Sequence, residues 1–92
     1  MYEVKPTSRF KKDLRLVAKR GYDISLITEV IKLLAKGQQL PAKYCDHALS
    51  GRWIGHRDCH ITPDWVLIYK IEKKVLVLTL TRTGTHSDLE ID

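Results

Sequence analysis

The sequence predicts an α+β domain of order βααβββ, an antiparallel sheet packed on one face by an antiparallel helical hairpin. Three observations carry this prediction. Two apolar stripes with helical period occupy the first 40% of the chain, each closed by a glycine, Gly21 or Gly37. Two Val/Leu/Ile-rich segments, WVLIYKI and VLVLTLTRT, follow in the second half, joined by the short polar turn Glu72-Lys73-Lys74. Helices come first and strands later, the segregation expected of an α+β rather than an alternating α/β chain.

In chain order, Tyr2–Lys5 alternates and reads as a short strand stopped by Pro6. Thr7 or Ser8 then caps a helix, because a side-chain oxygen there accepts an orphan backbone N–H of the first turn. Phe10, Leu14, Val17 and Ala18 fall at i, i+4, i+7 and i+8 and form one inward stripe, leaving Arg9, Lys12, Arg15 and Lys19 outside it. Gly21 ends the helix by entering the left-handed region at low cost. Asp23 or Ser25 caps a second helix running to about Lys36, with Ile27, Val30, Ile31 and Leu34 facing inward. Pro41 forbids helix in the loop that follows. Trp53–Ile61, Trp65–Ile71 and Val75–Thr83 are the remaining strands, the first two separated by Thr62-Pro63-Asp64.

Length and composition bound the function. Ninety-two residues predict one domain, 1–92, burying about 60–65% of the unfolded chain's surface. Hydrophobic content of 43% with 29% charged residues is that of a globular protein and argues against disorder. The apolar runs fall far short of the ~20 residues needed to cross a bilayer, and no secretory signal opens the chain, so a cytoplasmic location is expected. Cys45 and Cys59 alone make no disulfide framework, consistent with a reducing compartment. The net charge of +5 is concentrated between Lys5 and Arg20, where seven basic residues face the single acid Asp13. Such a surface suits nucleic acid and an acidic protein equally.

The chemistry concentrates in Asp46–Trp65, DHALSGRWIGHRDCHITPDW, which holds three of the four histidines and both tryptophans. RNA cleavage without a metal needs a base for the 2′-hydroxyl, an acid for the leaving 5′-oxygen and a cation for the phosphoryl oxygens. His47, His60 and His86 supply proton transfer near neutral pH, Arg82 a planar fork for phosphate, and Asp64 a carboxylate to orient an imidazole or act as base. Trp65 is a candidate base-stacking platform, with core packing as its alternative; for Arg82 the alternative is a structural ion pair. Antiparallel pairing of the last two strands brings Arg82 and His86 beside Asp64 and Trp65. A zinc site from Cys45, His47, His56, Cys59 and His60 is disfavoured: on a strand His56 and His60 lie about 13 Å apart and Cys59 points to the other face. No metal or other cofactor is expected.

The segments Asp46-His47-Ala48-Leu49-Ser50-Gly51, Gly55-His56-Arg57-Asp58, His60-Ile61-Thr62-Pro63-Asp64-Trp65-Val66-Leu67-Ile68-Tyr69 and Arg82-Thr83-Gly84-Thr85-His86-Ser87 strongly resemble YafQ-type toxins of the RelE/ParE superfamily of toxin–antitoxin systems. The resemblance covers essentially the whole chain. It implies a RelE-like fold and an mRNA interferase that cuts mRNA in the ribosomal A site without metal, stops translation, and is neutralised by a cognate acidic antitoxin in a hetero-oligomer. It places the functional set on His47, His60, Asp64, Trp65, Arg82 and His86, with His47 or Asp64 as general base, His86 as general acid, Arg82 as phosphate clamp and His60 sharing the proton work. The family usually has an aromatic residue where Glu90 stands here, a change expected to bear on substrate preference rather than on fold. The competing readings are a ParE-like inhibitor that binds gyrase without cutting RNA and a catalytically dead regulatory binder. The histidine constellation favours the nuclease, because a pure binder needs no paired proton donors.

Overall fold

The computed structural model of the protein describes residues 1–91. The elements are β1 (Glu3–Pro6), α1 (Ser8–Lys19), α2 (Ile24–Ala35), β2 (His47–Ala48), β3 (Arg57–Thr62), β4 (Trp65–Glu72), β5 (Val77–Gly84) and α3 (His86–Leu89). The βααβββ order holds, with β2 and α3 as short additions. The sheet runs β1-β5-β4-β3-β2, and its pairs are antiparallel except one. β1 lies parallel to β5, Glu3 opposite Val77 through Pro6 opposite Leu80, so the sheet is mixed rather than wholly antiparallel. No tight turn joins these two strands, and only a tight turn would force the antiparallel sense.

The local signals act where the sequence places them. Thr7 caps α1 by accepting the Phe10 N–H at 3.0 Å, and Asp23 caps α2 through the Ser25 N–H at 3.0 Å. Gly21 closes the first helix at φ +88. Phe10 and Val17 of α1 and Ile27, Val30 and Leu34 of α2 are buried against Cys59, Ile61, Leu67, Tyr69, Leu78 and Leu80 on one sheet face. Each such aliphatic or aromatic side chain contributes on the order of 1.5–3 kcal/mol. Ala18, expected in the stripe, is exposed: α1 lies over the β5 edge and turns only Phe10, Leu14 and Val17 inward.

The opposite face is covered too. Val66 and Ile68 of β4 pack with Leu89 of α3 and with Leu49, Trp53 and Ile91. Trp65 through Tyr69 are therefore all buried, which explains why this strand reads as an unbroken apolar run. Two strand starts differ from expectation by more than one residue. β3 begins at Arg57 because Gly51–Trp53 forms a 3-10 turn and Gly55 takes φ +88. β5 begins at Val77 because Leu76 turns the chain at φ +55.

Past Pro6 the edge of β5 has no strand partner among the described residues, and α1 takes over. Thr7 Oγ1 donates to the Thr81 carbonyl at 2.8 Å, and the Thr83 N–H donates to Asp13 Oδ2 at 3.1 Å. A strand edge left bare would invite pairing with another chain.

Candidate active site

Side chains alternate along β3, so Cys59 and Ile61 enter the core under the helices while Asp58 and His60 point to the other face. β2 sets His47 directly opposite Asp58. His47 Nδ1 lies 2.8 Å from the Cys45 carbonyl, and a carbonyl only accepts, so Nδ1 carries hydrogen. His47 Nε2 lies 3.1 Å from Asp58 Oδ1, at ion-pair distance though without hydrogen-bond alignment. With Nδ1 already protonated, a lone pair on Nε2 facing a carboxylate would be repulsive. A proton shared between the two would make the contact attractive.

Asp58 is only 2% exposed, and burial is the main cause of a raised carboxyl pKa. His47, His60 and His86 each oppose that rise by Coulomb attraction. These three imidazoles form a row: ring centroids are 6.4 Å apart between His47 and His60 and 5.1 Å between His60 and His86.

The third imidazole is set by the β4–β5 register, Val66 opposite Gly84, which places the end of β5 beside the turn holding Asp64. His86 opens α3, and its Nδ1 is 3.2 Å from Asp64 Oδ1. Nδ1–H to carboxylate leaves Nε2 free for a substrate proton. Thr85 and Asp88 close a capping box on this helix, and Arg20 grips Asp88 at 2.7 Å. Asp46 ties the His47 segment to the sheet, accepting from Arg57 Nη2 at 3.1 Å and from the Tyr69 hydroxyl.

The structure brings His47, His60, Asp64 and His86 together at one end of the sheet. Arg82 and Trp65 take other positions. The Arg82 guanidinium forms a two-point pair with Asp13, at 2.7 and 3.0 Å, with both side chains largely buried. That hydrogen bond is the main cause of its raised pKa, with burial opposing. Trp65 is 1% exposed; its indole packs edge-on to Tyr22 at 5.1 Å, and its Nε1–H donates to Thr83 Oγ1 at 2.9 Å. Trp65 thus offers no face to a base, which corrects the stacking expectation: an indole on a strand buried on both sides is core. His56 packs on Trp53 at 5.7 Å, and Cys59 is buried, its thiol pKa pushed up by that burial. Among the described residues no three His, Cys, Asp or Glu side chains are arranged to hold a metal ion.

Asp58 is the residue sequence reading missed. The signal was available: Asp58 and His60 are two apart on a predicted strand and so share a face.

A family model described as the bacterial toxin of type II toxin–antitoxin system, YafQ, matches residues 2–91. The mRNA interferase toxin YafQ of Escherichia coli K12 is 41% identical over 88 residues, covering 95% of this chain and 94% of its own length. A chain of the crystal structure of the E. coli DinJ–YafQ complex superposes with a TM-score of 0.89 at 39% identity, covering 97% of this chain and 98% of that one. A metal-bound toxin from Helicobacter pylori superposes with a TM-score of 0.91 at 40% identity, covering 97% and 99%.

Proposed function

The chain belongs to the YafQ family of toxins of type II toxin–antitoxin systems, and from that membership we propose that it is an mRNA interferase, an endoribonuclease acting as a single domain on mRNA in the ribosomal A site. The observation that carries the reading is the row of three imidazoles beside buried Asp58, because adjacent groups able to give and take protons are what phosphodiester cleavage needs.

In the proposed reaction a base takes the proton of the 2′-hydroxyl, whose oxygen attacks phosphorus. The bond from phosphorus to the 5′-oxygen breaks, and an acid delivers a proton to that oxygen. The products are a 2′,3′-cyclic phosphate and a 5′-hydroxyl end. His86 is assigned as the acid, since Asp64 holds its Nδ1 and leaves Nε2 for the leaving group. His47 or Asp64 is assigned as the base: the His47 ring stands 6.4 Å from that of His60, and the Asp64 side chain is 75% exposed beside His86. His60, between the two rings, positions the phosphate and shares proton work. Arg82, whose Nε and Nη2 are both committed to Asp13, is assigned only a longer-range role, its positive charge favouring the phosphoryl oxygens without direct contact. The chemistry as assigned requires no metal.

A cognate antitoxin in a hetero-oligomer is the proposed partner, supported by the DinJ–YafQ structure and by the basic outer face of α1. No described helix is long and apolar enough to cross a membrane, and the proposed site of action is the cytoplasm, where ribosomes are. Primer extension on mRNA after induction tests the reading. Wild type should cut at defined codon positions, and His86→Ala should lower cutting by about 10²–10⁴-fold with fold and antitoxin binding kept. Intact mRNA under a toxic wild-type chain would sink it.

A further inference from the structure

Between segment 47–53 and the C-terminal residues Glu90 and Ile91 runs a groove that the proton transfers above leave unused. It consists of two hollows of about 530 and 370 Å³ that share Arg52, Trp53 and Glu90. His47 stands at one end, and Arg9 and Arg82 at the other, so the groove leads away from the row of imidazoles.

Its walls suit one nucleotide. The Arg52 guanidinium lies 5.3 Å over the Trp53 ring, is held by the Leu89 carbonyl at 3.3 Å, and remains 61% exposed. Flat guanidinium and aromatic surfaces are the platforms on which unpaired RNA bases stack. Arg9, which has no acidic partner among the described residues, supplies a cation for a phosphate. Two carboxylates line it: Asp88 is taken up by Arg20, and Glu90 is the one out of place. A carboxylate in a groove for a polyanion repels phosphate, so it is favourable there only when it accepts hydrogen bonds from a base. Glu90 is 77% exposed, reaches Arg52 only at 3.7 Å, and lines both hollows.

We propose that this groove holds a nucleotide flanking the scissile phosphate and that Glu90 selects guanine there. Guanine presents two adjacent donors, N1–H and the N2 amine, which match the two oxygens of a carboxylate. Adenine and cytosine place a lone acceptor beside their amine, and uracil sets one N–H between two carbonyls. Glu90 is thereby a specificity-determining residue, and this inference rests on the reading of the chain as an mRNA-cutting enzyme.

The test is sequencing of the 5′-hydroxyl ends produced by wild type, Glu90→Gln and Glu90→Ala, scoring base identity around the cuts rather than their number. Wild type should favour guanine at one flanking position. Glu90→Gln, whose amide offers one acceptor and one donor, should shift that position toward adenine, and Glu90→Ala should flatten it. The guanine preference should drop about tenfold, the discrimination of one good two-point base contact. Circular dichroism of the variants checks the fold, which the exposed Glu90 side chain scarcely supports. Cutting with the same base distribution in all three proteins overturns this inference alone. Absence of cutting by wild type overturns the nuclease reading and this inference with it.

Discussion

Replacing Asp88 by Asn tests whether α3, and with it His86, is held electrostatically. Asp88 receives Arg20 Nη1 at 2.7 Å and Nη2 at 3.3 Å, from a residue 68 positions away, and also accepts the Thr85 N–H at 3.0 Å. The Arg20 hydrogen bond first, and the Thr85 N–H second, lower its pKa from the ordinary 3.8 to about 2. At about 1.4 kcal/mol per pKa unit that is about 2.4 kcal/mol, and solvent screening of side chains 38% and 27% exposed reduces it to about 1–2 kcal/mol. Because the folded-state pKa is depressed, the contribution is complete above the ordinary value and is lost as pH falls through about 2. Urea unfolding of wild type and Asp88→Asn should therefore differ by about 1–2 kcal/mol from pH 7 down to about 5, with Tm lower by roughly 5–15 °C at pH 7. The difference should close toward zero by pH 2. A gap independent of pH, or none at neutral pH, would refute the electrostatic account.

Trp65→Ala should cost about 3–5 kcal/mol and abolish cutting only by unfolding the protein; a variant with wild-type Tm would contradict the core assignment. Asp58→Asn should cut roughly 100-fold more slowly yet be at least as stable as wild type at pH 7. Burial raises the folded carboxyl pKa, so the ionised group costs stability above it; that cost, and the variant's advantage, disappear as pH falls below 3.8. Denaturation at pH 7 and pH 3 reads both signs. Gly84→Ala would set a Cβ 3.0 Å from Asp88 Oδ2 and 3.1 Å from its Cβ. Since Arg20 and the capping box prevent Asp88 from yielding, the substitution should destabilise by about 1–3 kcal/mol in the same assay, and less in an Asp88→Ala background.

What was legible in the sequence is what is written locally. The caps at Thr7 and Asp23 and the stop at Gly21 each depend on atoms within a few residues, and all appear where the pattern places them. The turn at Leu76 was not legible, because a residue at φ +55 without glycine looks like the strand it precedes. Trp65 was ambiguous for a different reason. β4 is buried on both faces, so its run of apolar residues has no alternation to reveal which way the indole points. The Asp13–Arg82 pair, 69 residues apart, has no local trace: for Arg82 an ion pair is legible only as the alternative to a phosphate clamp, and nothing in the pattern names Asp13 as the partner.

The remaining site geometry was legible in principle, since it follows from one register. Along β3 the pattern Asp58, Cys59, His60, Ile61 alternates polar and apolar. A slip of one residue would turn Asp58 and His60 into the apolar core beneath α2 and set Cys59 and Ile61 against His47 and His86, at a cost of several kcal/mol for the carboxyl parted from His47. The burial that selects Cys59 and Ile61 for the core is therefore what aims Asp58 and His60 at His47 and His86. β2, only two residues long, has no apolar pattern of its own and inherits its alignment from β3 and from the anchoring of Asp46 by Arg57 and Tyr69. Core and proposed proton-transfer site are thus set by the same strand, and a mutation that preserves the hydrophobicity of β3 while shifting its register should abolish both.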